Sequence, residues 1–286
     1  MTGSMSAHAM RCDRRVLLLG GAVALAGLAM PGRGRALDLA ASGDAAGKAI
    51  MDEVVRRHER TAERTVERVT LIAGTTVEAE RTMVRALRRM DDGSWRYLVT
   101  FTEPAGIAGS AALTWDPPDG PSDQWLFLPA LGTLKRVVGA ARRRNFLGTD
   151  FAYEDMTVED VNAHRYVRQP DADLDGVHTL VVDSVPGAEA GDSAYARRRI
   201  HVDPERFMIV GIDYFAARGE RLIKTLRVTS AQAVDGEAWR PDDYTMTSLD
   251  ENHATRVNRV STRFGPDAVP PETFEHRHLE SRAHMR

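Results

Sequence analysis

Apolar and polar residues alternate along most of this chain with the period of an extended strand. The clearest run is Trp95-Arg96-Tyr97-Leu98-Val99-Thr100-Phe101-Thr102, closed by Pro104. Side chains of a strand point alternately to its two faces, so Trp95, Tyr97, Val99 and Phe101 share one face and Arg96, Leu98, Thr100 and Thr102 the other. Residues 65–73, 165–169, 179–185, 194–202, 208–215, 222–231, 244–249 and 256–264 repeat the arrangement. Asp175-Gly176, Gly187, Asp203-Pro204, Arg218-Gly219 and Asp235-Gly236 punctuate them. Short strands joined by turn residues, with no long helices between them, predict a meandering antiparallel sheet.

One segment has a helical period instead. In Ala45 to Arg60, the residues Ile50, Met51, Val54 and Val55 fall on one stripe, with Asp44 placed to cap the N-terminus. Val77 to Met90 fits either period: Met83, Val84 and Leu87 suit a helix, and Met83-Arg85-Leu87 a strand face.

The chain is organised around residues 106–155. Ala111 to Trp115 pairs naturally with Trp125 to Leu128 across the turn signal Asp116-Pro117-Pro118-Asp119-Gly120-Pro121. Trp125 to Leu128 reads as a buried strand stopped by Pro129, which cannot donate to a ladder. A basic strand or turn follows over Leu134 to Arg144, then an aromatic loop with Phe146, Phe151 and Tyr153, where Thr149 or Asp150 is placed to cap a short helical turn.

The succession Trp-Leu-Phe-Leu-Pro-Ala-Leu over 125–131, Lys135-Arg136, and Phe-Leu-Gly-Thr-Asp-Phe-Ala-Tyr-Glu-Asp over 146–155 resembles the outer-membrane lipoprotein-sorting (LolA-like) family of periplasmic proteins. His201-Val202-Asp203-Pro204, Gly219-Glu220 and Pro271-Glu272-Thr273-Phe274 agree with it, so that it runs from about Gly47 to Glu280. The resemblance implies a mainly β (α+β) fold: an open antiparallel half-barrel of roughly ten or more strands, LolA/LolB-like, covered by short helices, with an apolar concave side that holds acyl chains. It favours a β-hairpin for Val77 to Met90 and contains no active-site motif. Candidate cavity residues are Leu98, Leu113, Trp125, Phe127, Leu131, Phe146, Phe151 and Tyr153. The implied function is a carrier of lipoprotein acyl chains or another lipid between membrane partners, a transporter or acceptor protein, acting as a monomer. The alternative is a sensing module on the same scaffold that binds a membrane-tethered signalling protein.

The N-terminus reads as an address. Met10 is the better initiator; Arg11, Arg14 and Arg15 form a basic region, Val16 to Met30 an uncharged apolar one, and Gly34-Arg35-Ala36 a small-x-small cleavage site. Arg14-Arg15-Val16-Leu17-Leu18 resembles a twin-arginine signal, although Asp13 replaces the usual small hydroxyl residue. The expectation is an export signal over residues 1–36 and one domain over 37–286, in the periplasm. Cys12, the sole cysteine, lies ahead of the apolar run, so cleavage leaves no thiol for a disulfide, a metal, a nucleophile or a lipid anchor. Losing 1–36 removes five Arg and one Asp, leaving 33 basic and 40 acidic residues, a net charge of −7. Such a chain is a poor general ligand for nucleic acid.

No residue pattern argues for an enzyme or a cofactor. Asp150, Glu154, Asp155, Glu159 and Asp160 lack the spacing of a calcium loop and read as solvated acids at a helix start. The nine His are scattered without a zinc-binding pair; His276-x-His278 reads as a strand end. Lys135, Arg136, Arg142, Arg143 and Arg144 lie between two apolar segments, as docking or headgroup contacts for an anionic surface, or as a solvated hairpin in a chain with three lysines.

Overall fold

The computed structural model describes residues 42–156, 158–161, 163–187, 193–218 and 220–285, with the backbone alone at 15–17 and 158–160. The leader read over 1–36 lies outside the described residues except for β1 (Arg15–Leu17), which pairs antiparallel with β8 (Val158–Asp160).

Helix α1 (Asp44–His58) precedes a first meander of β2 (Ala62–Ala73), β3 (Thr76–Arg89), β4 (Trp95–Glu103), β5 (Ala111–Asp116), β6 (Asp123–Leu128) and β7 (Thr133–Arg136). The second meander is β9 (His164–Leu174), β10 (Val177–Pro186), β11 (Tyr195–Val202), β12 (Ile209–Ala216), β13 (Leu222–Asp235), β14 (Ala238–Ser248) and β15 (His253–Phe264). The two join through β15 and β2 into one 13-stranded antiparallel sheet that ends at β7 and β9 without closing. The ambiguous stretch after Gly74 is a strand, β3, in register with β2 over nearly its full length. Asp175 and Gly176, both at positive φ, make the tight β9–β10 turn that the Asp-Gly pair signals. Pro170 sits in the edge strand β9, where its missing N–H costs no ladder bond.

A flat sheet of this width, at about 4.8 Å per strand, would hold its edges ~58 Å apart. Instead, Ala112 of β5, Val257 of β15 and Leu180 of β10 belong to one continuous buried cluster, so the sheet curls around a shared interior. The chain from β7 to β9 must pass from one edge to the other, and this crossover, described over residues 137–156, 158–161 and 163, spans the open side. It buries Val137, Phe146, Phe151, Tyr153 and Val161 in the same cluster. The expectation of a cover made of short helices is therefore met only in part. Among the described residues the α-helices are α1 and the five-residue α2 (His276–Glu280), and the rest of the concave side is covered by the crossover.

Helix α1 buries the expected stripe of Ile50, Met51, Val54 and Val55. Its cap differs from expectation: Gly43 is the N-cap, at positive φ, and Asp44 is the first helical residue, where its charge favours the helix N-terminus. The helix lies so close to β9 that a Cβ on Gly47 would stand 2.6 Å from the Tyr166 carbonyl oxygen. At its other end, His58 is fixed between two backbone groups: Nδ1 accepts from Trp239 N–H at 3.1 Å and Nε2 donates to Arg206 O at 3.0 Å. Burial, with the neighbouring Arg240 guanidinium, pushes the His58 pKa down to about 4. An unfolded histidine titrates near 6.5, so this contribution is neutral above that pH and destabilising as pH falls towards 4, by about 3 kcal/mol in total. Urea unfolding at pH 7.5 and 4.5 should show that loss, and His58→Gln should show less of it. Equal losses in the two proteins would mean that His58 does not titrate on unfolding.

Candidate functional site

The concave side is the candidate site. Its centre is the loop 145–156 of the crossover, folded as a small hairpin by Phe146 N–H to Phe151 O (2.7 Å) and Tyr153 N–H to Arg144 O (3.0 Å). The Phe146 ring stacks on Phe101 of β4 at 5.6 Å and meets Tyr153 edge-on at 5.4 Å. Phe151 packs against Tyr244 of β14, and Arg81 lies over Phe101 while donating to Leu147 O at 2.6 Å. The aromatic loop thus occupies the interior of the half-barrel.

Charged groups pin it there. Asp155 Oδ2 accepts from Ala152 N–H (2.7 Å), Lys224 Nζ of β13 (3.1 Å) and the Tyr195 hydroxyl of β11 (2.9 Å). Lys224 also donates to Asp150 O at 2.9 Å. The Asp150 carboxylate, fully buried, accepts from Thr255 Oγ1 at 2.6 Å and lies 2.8 Å from His253 Nδ1, both on β15. Burial, then the Asp155 charge, raises the Tyr195 pKa well above its ordinary value, which keeps it a donor; burial and Asp155 likewise raise Glu154. The reading of these acids as solvated helix-start residues is corrected at Asp150 and Asp155: they are internal anchors, and neither Thr149 nor Asp150 caps the turn. The side chains of Glu159 and Asp160 lie outside the described residues.

Two further ion pairs face the same interior. Arg85 of β3 makes two bonds to Glu67 of β2, at 2.7 and 2.6 Å, and Tyr244 donates to the same carboxylate at 3.1 Å. Arg240 of β14 holds Glu63 of β2 at 2.8 Å and donates to His58 O at 2.9 Å. The concave face is therefore not the uniformly apolar surface expected, but an aliphatic and aromatic one crossed by paired charges.

The sequence-derived cavity candidates divide between the two faces. Phe146, Phe151 and Tyr153 come together on the concave side. Leu98, Leu113, Trp125 and Phe127 lie on the other face, under the C-terminal arm (residues 266–285), with Val269, Phe274 and Leu279. The cause is strand parity: Leu98 opposes Val99 and Phe101, and Trp125 and Phe127 oppose Gln124, whose side chain reaches the Tyr153 carbonyl. Trp125 and Trp115 hold His276 of the arm between them, at 4.5 and 4.6 Å. Trp125 is only half-buried, because β6 lies one strand from the edge. Leu131 is exposed in the β6–β7 turn.

Of the basic group, Lys135 and Arg136 sit exposed on the edge strand β7, where Arg136 pairs with Asp123, and such charge protects an open edge. Arg142 and Arg143 end the 3-10 turn Gly139–Arg143, and Arg144 follows, beside the entry of the crossover. No group of three or more His, Asp or Glu among the described residues is placed to hold a metal ion. No helix among them is long and apolar enough to cross a membrane.

The fold matches solved structures. A putative outer membrane lipoprotein-sorting protein domain from Vibrio parahaemolyticus superposes with a TM-score of 0.75 at 23% identity, covering 82% of this chain and 98% of that one. A DUF1329 family protein from Desulfovibrio piger gives 0.75 at 21%, with the same coverage of 82% and 98%. A LolA superfamily protein from Nitrosomonas europaea gives 0.62 at 18%, covering 83% and 100%. No curated protein matches the chain. A family model, described as that of an uncharacterized protein, matches residues 93–281, which include the crossover, both of its carboxylate anchors and the strands that hold them. The chain belongs to that family, and its fold is LolA-like.

Proposed function

We propose that this protein is exported to the periplasm and carries acyl chains, of a lipoprotein or another lipid, on the concave side of its open sheet, passing them between membrane partners. The observation that carries the reading is that this face is closed by a crossover loop and one helix rather than by ladder hydrogen bonds. Phe146 and Phe151 gain about 1.5–3 kcal/mol each from burial, and an acyl chain gains ~0.8 kcal/mol per methylene removed from water. A chain of many methylenes therefore offsets displacement of the two rings from water's standpoint. Against a bilayer, where the chain is already dry, the exchange stands near balance, which suits a carrier that must also release its cargo. The leader over 1–36 fits this role, with a mature start near Leu37 that N-terminal sequencing of the native protein checks.

Mass spectrometry of an organic extract of the native protein should find acyl lipid in near-stoichiometric amount; a lipid-free extract, with no uptake of a fluorescent fatty acid, overturns the reading. We assign docking to the basic group at the crossover entry. Changing Arg142, Arg143 and Arg144 together to Gln should weaken binding to anionic vesicles at low salt. It should have little effect where the Debye length shrinks below ~10 Å. Fatty-acid uptake should barely change, and equal losses in both assays would place the arginines in the cargo site.

A further inference from the structure

On the face of the sheet turned away from α1, the C-terminal arm leaves a cavity of about 240 Å3. Its floor is Val84 and Ala86 of β3 with Leu98 of β4, and its roof includes Val269, Pro270 and Met285 of the arm. Arg64 of β2 and Thr100 and Thr102 of β4 also line it, and His278 and His284 border it from the arm. Among the described residues no carboxylate lines it. Arg64 is half-buried and faces Arg263 across the β2–β15 ladder. Among the described residues it has no hydrogen-bond or ion-pair partner. Arg88, on the same face of β3, is by contrast satisfied by the carbonyls of Pro266 and Val269. Burial and the Arg263 charge both pull the Arg64 pKa down, so this guanidinium is held without compensation. A partly desolvated cation at the wall of a cavity with an aliphatic floor is completed by an anion, and a carboxylate fits the guanidinium fork.

We propose that this cavity binds a medium-chain aliphatic carboxylate, its carboxylate on Arg64 and its hydrocarbon between Val84, Ala86 and Leu98 and the C-terminal arm. The aliphatic floor consists of three side chains, Val84, Ala86 and Leu98, a reach that suits a medium rather than a long acyl chain. The site lies on the opposite face from the proposed cargo side and stands independently of that reading.

The test is titration of the purified full-length protein with octanoate, by calorimetry and by NMR of the carboxyl-labelled acid. Octanoate should bind at one site, with octanol weaker by about tenfold or more, as expected for loss of a charge-assisted contact, and octyl phosphate no tighter than octanoate. Arg64→Met should weaken octanoate by a similar factor with the melting temperature nearly unchanged, while Arg64→Lys keeps most of the binding. Ala86→Phe, which fills the floor, should abolish it; if that variant does not fold, the Arg64 pair decides. Palmitate should not displace octanoate, and its own uptake should survive Arg64→Met. Unchanged octanoate affinity in Arg64→Met, equal binding of octanol, or tighter binding of octyl phosphate overturns the proposal. Displacement by palmitate does so too, because it would place octanoate on the concave side.

Discussion

Replacing Lys224 by methionine should lower the stability of the folded protein by about 3–5 kcal/mol, the usual consequence of removing one member of a buried ion pair. The Lys224 and Asp155 side chains are 8% and 3% exposed, so the carboxylate left behind cannot turn to water. It would keep the Tyr195 hydroxyl and the Ala152 N–H but lose its only cationic partner in the described network, while Asp150 O loses a donor. The charge of Lys224 also lies 5.1 and 5.5 Å from the rings of Tyr195 and Tyr214, a favourable placement that methionine gives up in part. Because both aspartates belong to the crossover, the loss should be local before it is global. Amide exchange over residues 145–156 should accelerate more than exchange in α1. Adding Asp155→Leu to Lys224→Met should recover part of the loss by removing the orphaned charge. A loss below about 1 kcal/mol, the range of a solvated pair, would show that the crossover is held by its aromatic rings alone.

The sheet was legible from period and turns because both are local properties. Trp95 to Thr102 alternates cleanly, and each turn pair names its own conformation. The stripe of α1 was legible for the same reason. Which face of each strand looks inward was not, because Leu98 and Val99 are equally apolar and both faces of this sheet are covered, one by α1 and the crossover, the other by the C-terminal arm. That double cover is why Trp125 and Phe146, neighbours in a family-like stretch, part company in space. The anchors were missed for a different reason. Asp150 and Asp155 follow a loop of turn residues and look solvated when only their own neighbourhood is read. The informative signal lay seventy residues away: Lys224 shares strand parity with Leu226 and Val228, an isolated charge on an apolar face that requires a buried partner. Arg240 carries the same signal beside Tyr244 and Met246, and Glu63 and Glu67 carry it beside Val69 and Leu71.

Arg240→Met is the second substitution expected to act strongly, and on a different part of the cover. Arg240 and Glu63 have side chains 2% and 3% exposed. The guanidinium bonds both oxygens of Glu63, and its remaining donors reach His58 O at the end of α1 and Trp239 O on its own strand. One residue thus joins β2, β14 and the last turn of the helix, whose terminal carbonyls need partners. Methionine preserves most of the volume but leaves Glu63 buried with the Thr65 hydroxyl as its remaining described partner, so a loss of about 3–5 kcal/mol is expected. Loosening should appear first in α1, as faster exchange from Val54 to His58, with the 145–156 loop little affected, the reverse of the Lys224 pattern. A cycle with Glu63→Leu separates the two contributions. If the cost comes from the stranded carboxylate, the double variant should be clearly more stable than Arg240→Met alone, while α1 exchange stays fast because His58 O still lacks its donor. If the double variant is no more stable than the single one, the carboxylate is not the source of the loss, and the tie to the helix carries the effect.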